Sequence, residues 1–227
     1  PNGEEFFFEA PAVVIAPPKE LLHSHPHRLA FSPCGNYLAA IYRAKSSFEQ
    51  GVVLFKNEVT HFECLSVIKR ASLPGCPEAV VFSPDGTCLL VTYSDLGVLT
   101  VFSRKDHLID PTAKQTIELG SFYPKDIKIT PDGSFCAIVN SDQNRTAFYP
   151  FDPKSNCILQ NTPSYNFKDP KGKSSFPCGL AFSSDGLYFA IAQSGPVRIT
   201  RGGEVVWKKR LKSAEAEVQL YFMKPHE

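Results

Sequence analysis

The segment Pro77-Glu78-Ala79-Val80-Val81-Phe82-Ser83-Pro84-Asp85-Gly86 decides the fold, because closely similar segments recur along the chain. The other copies occupy residues 26–35, 124–133 and 177–186, and each begins with proline and ends with glycine. The glycines of successive copies are separated by 51, 47 and 53 residues. A period of this size predicts a repeat architecture in which each copy belongs to one supersecondary unit.

Each copy predicts a strand, a tight turn and a second strand. Apolar residues alternate in the first part, as with Leu29 and Phe31, which predicts a half-buried strand. Ser-Pro-Asp-Gly supplies the turn, because proline presets one backbone angle and glycine accepts a positive φ. Second strands are predicted at 37–42, 88–93, 135–140 and 188–193, and third strands at 52–55, 98–102, 145–151 and 197–200. More polar fourth strands are predicted at 63–69, 115–119, 158–167 and 205–211.

Four antiparallel strands in a repeat of about 40–50 residues are typical of a β-propeller blade. Over residues 26–212 the chain resembles WD-repeat proteins and related propeller repeats, including the bacterial YVTN type. The resemblance implies an all-β fold. It departs from WD repeats where Trp-Asp should end the third strands, which instead end in Phe55-Lys56, Phe102-Ser103, Phe151-Asp152 and Thr200-Arg201. Asp95 and Asp142, after two of the second strands, match the aspartate of the WD-type hydrogen-bond network.

The two ends of the chain share a phase with the repeat. Residues 1–9 are similar to the turn and second strand of a blade, and residues 218–223 lie where a further first strand falls. We therefore expect a single domain over residues 1–227, a β-propeller of five four-stranded blades in which the N- and C-terminal strands share one blade. Such closure removes open sheet edges. The alternative is a segment of a six- or seven-bladed propeller.

The charge balance and apolar runs exclude several classes of protein. Lys and Arg number 24 against 23 Asp and Glu, a net charge of +1, which argues against a general nucleic-acid binder. The basic run of Lys208, Lys209, Arg210 and Lys212 is interpreted as protection of a sheet edge, and the alternative is a surface that binds an acidic partner or nucleic acid. The apolar runs are far shorter than the roughly 20 residues that cross a bilayer. We therefore expect no membrane segment.

The cysteines indicate the cellular compartment. There are 7 of them, an odd number, and none belongs to a Cys-x-x-Cys pair. This usage favours a reducing, intracellular setting, cytoplasmic or nuclear.

The loops before the first strands should lie on one rim of the ring, near the central channel. They carry a set of charged and polar residues that could form a site: His25, His27, Glu78, Lys125 and Asp126. Three alternating histidines, at positions 23, 25 and 27, are of a type that binds zinc. Packing and hydrogen bonding explain them equally well, and the sequence predicts neither a metal site nor a cofactor.

The favoured function is a non-catalytic scaffold that binds another protein. The expected partner-binding residues are exposed aromatics and arginines near the channel: Arg43, Phe48, Tyr123, Arg145 and Phe176. One alternative is a propeller enzyme resembling lactonases or other hydrolases, with His27, Glu78 and Asp126 meeting at the channel mouth. Another is a propeller that binds a sugar or other small ligand. No Gly-x-Ser-x-Gly elbow or phosphate-binding loop occurs in the sequence, which argues against the corresponding enzymes.

Overall fold

The computed structural model describes residues 14–44, 49–58, 60–120, 123–168, 176–186, 188–194, 199–201, 204–207 and 216–222. The strands of these residues form four sheets. The first sheet contains β1 (His25–Phe31), β2 (Tyr37–Arg43), β3 (Gly51–Asn57) and β4 (Phe62–Lys69). The second contains β5 (Pro77–Phe82), β6 (Cys88–Tyr93), β7 (Val98–Lys105) and β8 (Leu108–Glu118). Both are antiparallel meanders in sequence order, as expected of propeller blades.

The third sheet divides its outer strand into two pieces. It contains β9 (Pro124–Ile129), β10 (Phe135–Asn140) and β11 (Arg145–Asp152), with β12 (Cys157–Ile158) and β13 (Tyr165–Lys168) both pairing with β11. The continuous fourth strand predicted at 158–167 is therefore corrected to two short strands. Pro163 lies between them, and proline cannot donate to a continuous ladder.

The fourth sheet differs from the expected order. It contains β14 (Phe176–Phe182), β15 (Tyr188–Ser194), β16 (Ile199–Arg201), β17 (Glu204–Trp207) and β18 (Ala216–Phe222). The spatial order is β14-β15-β18-β16-β17, so the C-terminal strand occupies the place expected for the third strand.

This order corrects the expected role of the C-terminal strand. β18 pairs with β15 along all of β15, from Tyr188↔Phe222 to Ser194↔Ala216, instead of opening a fifth blade. The predicted third strand is short, since β16 has 3 residues, whereas β18 has 7 and can satisfy the whole β15 ladder. Residues 1–13, which the shared blade also needs, lie outside the described residues, so a fifth blade stays a prediction.

The first strands of the four sheets follow one another around a common axis. β1 contacts β5, β5 contacts β9, and β9 contacts β14. Apolar side chains fill the space between neighbouring sheets, and the burial of each large side chain contributes about 1.5–3 kcal/mol. The core between the first two sheets includes Ile41, Leu54, Val91 and Phe102. The core between the second and third sheets includes Leu90, Val101, Ile138 and Tyr149. The core between the third and fourth sheets includes Phe148, Leu180 and Phe189.

The face of β1 that the sequence predicts to be buried is exposed. Leu29 and Phe31 of β1 are exposed, whereas Ala30 packs against the core between the first two sheets. The first sheet has only one neighbouring sheet in the described part of the chain, which explains why one face of its inner strand is open.

The turns between first and second strands all lie at one end of the sheets. Gly35, Gly86, Gly133 and Gly186 have φ between 70° and 73°, a conformation that glycine adopts without steric cost. In the second copy the hydroxyl of Ser83 donates to Asp85 Oδ1 at 2.6 Å, and Thr130 and Asp132 repeat this bond in the third. We call the end of the sheets that carries these turns the turn rim. The opposite end, where Pro26, Pro77, Pro124 and Pro177 lie, is called the proline rim.

In the part of the chain that the structure describes, the helices are single 3-10 turns at Lys19–Leu21 and Arg70–Ser72, too short to cross a bilayer.

Candidate functional site

A β-bulge recurs at the proline rim in all four first strands. Pairing skips one residue, the residue after the proline, which is His27, Glu78, Lys125 or Cys178. A bulge bends the strand and redirects the side chain of the extra residue. Because the first strands are neighbours, the bulges bring side chains from three consecutive sheets together.

Glu78 is the centre of this arrangement. Its side chain is 1% exposed, and both of its carboxylate oxygens have cationic partners. Arg43 Nη1 donates to Oε2 at 2.5 Å, and Lys125 Nζ donates to Oε1 at 3.0 Å. His27 Nε2 lies 3.3 Å from the same Oε1. We call His27, Arg43, Glu78 and Lys125 the rim cluster.

The electrostatics keep Glu78 ionised. Burial alone would raise the pKa of Glu78, but the hydrogen bond and charge of Lys125, with the charges of Arg43 and His27, outweigh it and lower that pKa. Burial lowers the pKa of His27, and the charges of Arg28 and Arg43 add to this, while Glu78 opposes it. The cluster at neutral pH therefore holds a carboxylate, two permanent cations and a histidine that favours its neutral form.

His27 has two competing hydrogen-bond partners at one nitrogen. Nε2 lies 3.3 Å from Glu78 Oε1 and 3.4 Å from Arg43 Nη1. A protonated Nε2 donates to Glu78, whereas an unprotonated Nε2 accepts from Arg43, so the tautomer decides which bond forms. We favour donation to Glu78, because Arg43 already makes a shorter bond to the carboxylate.

Tyr123 extends the cluster outward. Tyr123 is 54% exposed, and Lys125 Nζ lies 5.5 Å from its ring centroid, within the range of a cation–π interaction. The Tyr123 backbone has φ 59°, and its amide and carbonyl are tied to Ser94 and Ser141. A left-handed conformation is uncommon for a tyrosine and persists where neighbouring structure fixes it.

The structure thus joins residues that the sequence analysis assigned to two separate sets. Arg43 and Tyr123 were expected in a partner-binding set, and His27, Glu78 and Lys125 in a channel-rim set. Arg43 reaches Glu78 because it ends β2, where it pairs with His25 at the start of β1. The roles of all these residues stay predictions.

Other predicted site residues lie elsewhere. Asp126 was expected to meet His27 and Glu78, but it accepts hydrogen bonds from Lys128 Nζ and from the Leu180 amide on β14, which corrects that expectation. Lys125 contacts Glu78 on β5, whereas Asp126 contacts β14 on the opposite side of the third sheet. Arg145 begins β11 on the proline rim, and its guanidinium donates to the Leu119 carbonyl.

Three further predictions concern residues that the structure describes only in part or not at all. Phe48 and the basic run 208–212 lie outside the described residues, and for Phe176 only the backbone, in β14, is described. His25 is exposed at the start of β1. Among the described residues, no group of three or more His, Cys, Asp or Glu side chains could hold a metal ion.

Asp95, at the aspartate position that the WD resemblance singles out, hydrogen-bonds to the loop before β5. Its Oδ1 accepts the Cys76 amide at 2.7 Å, and Arg70 Nη2 lies 3.5 Å from Oδ2. A Cβ atom on Gly75 would lie 2.3 Å from Asp95 Oδ1 and 3.1 Å from Tyr93 Cβ, so a side chain there would displace the Asp95 carboxylate from this position. Asp95 therefore fixes the loop that leads into β5 and Glu78.

The comparisons with known proteins show the fold and leave the function open. No protein-family model matches the chain, and no curated protein matches it. A functionally unknown protein from Desulfotomaculum acetoxidans superimposes with a TM-score of 0.59 at 16% identity, over 75% of this chain and 50% of that protein. The periplasmic gluconolactonase of Pseudomonas aeruginosa gives 0.58 at 18%, over 73% and 50%. The β-propeller domain of Myceliophteria thermophila Cps50 (Swd1) gives 0.52 at 15%, over 76% and 67%.

The fold is a β-propeller. The similar structures include both a lactonase and the β-propeller domain of Cps50 (Swd1), which confirms the resemblance at the level of propeller repeats. This chain spans about half the length of the first two proteins named. Sequence identities below 20% carry the fold and not the activity.

Proposed function

We propose that this chain is a non-catalytic propeller scaffold that binds another protein through the proline rim. The observation that carries the proposal is the rim cluster, in which the buried Glu78 carboxylate holds Arg43 and Lys125 in place beside the exposed ring of Tyr123. Tyrosine and arginine are enriched among the residues that dominate binding energy at protein interfaces.

The restraint of the Arg43 and Lys125 side chains in the cluster favours binding. Flexible Lys and Arg side chains lose conformational freedom when they bind, at a cost of about 0.5–1.5 kcal/mol each. Glu78 restrains both side chains before any partner binds. Part of their conformational entropy is therefore lost already when the chain folds. They stay partly accessible, at 28% for Arg43 and 31% for Lys125.

The same geometry disfavours proton-transfer catalysis by Glu78. A general acid needs a raised pKa, whereas the pKa of Glu78 is lowered. A general base must reach a proton of the substrate, whereas Glu78 is 1% exposed and both its oxygens already accept from cations. The lactonase-like alternative therefore receives no support from this carboxylate, and the intracellular setting stays a prediction.

Affinity capture tests the proposal. The wild-type chain and a Tyr123→Ala, Lys125→Gln double variant serve as baits in a lysate, with captured proteins quantified by mass spectrometry. Lys154→Ala is the matched control, because Lys154 is exposed on the turn after β11, at the turn rim. We expect the double variant to lose at least one protein about tenfold, and the control to retain it. Equal capture by all three baits would refute the proline rim as the interaction face.

A further inference from the structure

The rim cluster carries more positive charge than its own carboxylate neutralises. Arg43 and Lys125 supply two permanent charges against the single charge of Glu78. Arg28 acts electrostatically on the same histidine as Arg43. His27 changes this sum only when it gains a proton. The described groups of the cluster therefore present a net positive charge.

Within the described part of the chain, the contacts of Arg43 and Lys125 leave several of their hydrogen-bond donors for another molecule. Arg43 uses Nη1 toward Glu78, and a guanidinium carries five N–H groups in a planar fork. The Lys125 ammonium has three N–H groups, of which one donates to Glu78. The carboxylate is nearly inaccessible at 1%, so an approaching molecule meets the cations first.

We infer that the proline rim recognises a carboxylate, and that the partner is a protein segment presenting a Glu or Asp side chain to Arg43 and Lys125. This inference rests on the proposed function and specifies the partner's chemistry. Charged hydrogen bonds between a guanidinium or ammonium and a carboxylate are stronger than neutral ones. Tyr123 adds an exposed apolar surface against which the stem of such a side chain packs.

The rim cluster also connects three sheets. Its role could therefore be structural alone, without any ligand. The two roles differ in what Lys125→Gln does. If the cluster has only a structural role, this substitution changes the stability of the chain and nothing else. In a recognition site, it removes the excess positive charge and weakens carboxylate binding as well.

The test is an NMR titration of the isotope-labelled chain with N-acetylglutamate amide, a capped glutamate side chain. N-acetylglutamine amide has nearly the same shape without the charge, and gluconate represents a small sugar acid. We expect saturable shifts at residues 27, 43, 78 and 125, with a dissociation constant on the order of 10 mM for a single charged contact. The glutamine analogue should bind about tenfold more weakly.

The variants locate the binding. Arg43→Gln and Lys125→Gln should each weaken capped-glutamate binding about tenfold. Lys128→Gln is the matched control, because Lys128 lies on the same strand with similar exposure but pairs with Asp126. Its affinity should be unchanged. Amide spectra of each variant establish that it is folded, and Arg43→Lys, which keeps the charge, provides a second variant where Arg43→Gln unfolds.

Three outcomes would overturn the inference. These are equal binding of the glutamate and glutamine analogues, equal weakening by Lys128→Gln, and gluconate binding more than tenfold tighter than capped glutamate, which would assign the site to a small acid. If rim variants lose captured proteins but capped glutamate does not bind, the interaction face stands and acidic recognition fails. If capped glutamate binds and capture is unaffected, the proposed function fails instead.

Discussion

Replacement of Glu78 by glutamine tests how much the ion pairs of the rim cluster contribute to stability. The substitution preserves side-chain volume, so it leaves no cavity, but it removes the charge that Arg43 and Lys125 share. Loss of one partner from a buried ion pair costs about 3–5 kcal/mol, whereas exposed pairs contribute about 0–1 kcal/mol. Glu78 is 1% exposed, but its cationic partners are 28% and 31% exposed and can regain water. We therefore expect a loss of about 2–3 kcal/mol, between the two limits.

The assay is urea unfolding at pH 7, with thermal unfolding as a second readout. A loss of 2–3 kcal/mol corresponds to a fall in Tm of about 5–10 °C for a chain of this size. Glu118→Gln is the control, because Glu118 is exposed at the end of β8, and its effect should stay within about 0.5 kcal/mol. An equally small effect for Glu78→Gln would refute the view that Glu78 holds the rim cluster together.

The pH dependence of the same pair gives an independent check. The pKa of Glu78 in the folded chain is lowered from its ordinary value of 4.5. Its contribution to stability is therefore fully present above pH 4.5 and is lost as the pH falls through the lowered folded value. The stability difference between wild type and Glu78→Gln should shrink on acidification from about pH 5 to about pH 3. A difference that stays constant over this range would contradict the lowered pKa.

Three further predictions concern the scaffold. Gly75→Ala should destabilise the chain by about 1–3 kcal/mol in urea unfolding, because the new Cβ would lie 2.3 Å from Asp95 Oδ1; an unchanged midpoint would contradict that approach. Asp85 should show a pKa of about 2 by carboxyl NMR, because hydrogen bonds donated by Ser83, Thr87 and Asn156 outweigh its partial desolvation, and Asn156→Ala should raise that value. Phe148→Ala should cost about 3–5 kcal/mol, since Phe148 is buried among aromatic rings between the third and fourth sheets; a loss below 1 kcal/mol would argue against that packing.

The repeat made most of the blade architecture predictable from the sequence. Alternating apolar residues and the Ser-Pro-Asp-Gly turn are local signals, so the second strands of the first three sheets fall at or within one residue of the predicted bounds. The end of the chain was less predictable, because a strand such as β18 can pair with any free edge of suitable length. Tertiary competition for the edge of β15, and not local pattern, decided its place.

The rim cluster was predictable only in part. Its members on the first strands, His27, Glu78 and Lys125, each follow the proline of their copy, and Glu78 and Lys125 carry opposite charges at equivalent positions of neighbouring repeats. That signal could have predicted the contact. The bulge could not be read from the sequence, because it changes the pairing register without changing the apolar pattern. Arg43 lies on a different strand of a different sheet from Glu78, so its approach depends on how the sheets pack.

Site-specific photo-cross-linking tests the central claim most directly. A photoreactive phenylalanine analogue, p-benzoylphenylalanine, replaces either Tyr123 on the proline rim or Leu108, at the turn rim, in the otherwise native chain. The two sites are matched in exposure, at 54% and 56%. On irradiation in cells, we predict a discrete protein adduct from position 123 and none from position 108. Adducts from position 108 with none from position 123, or from neither position, would contradict the proline rim as the binding face.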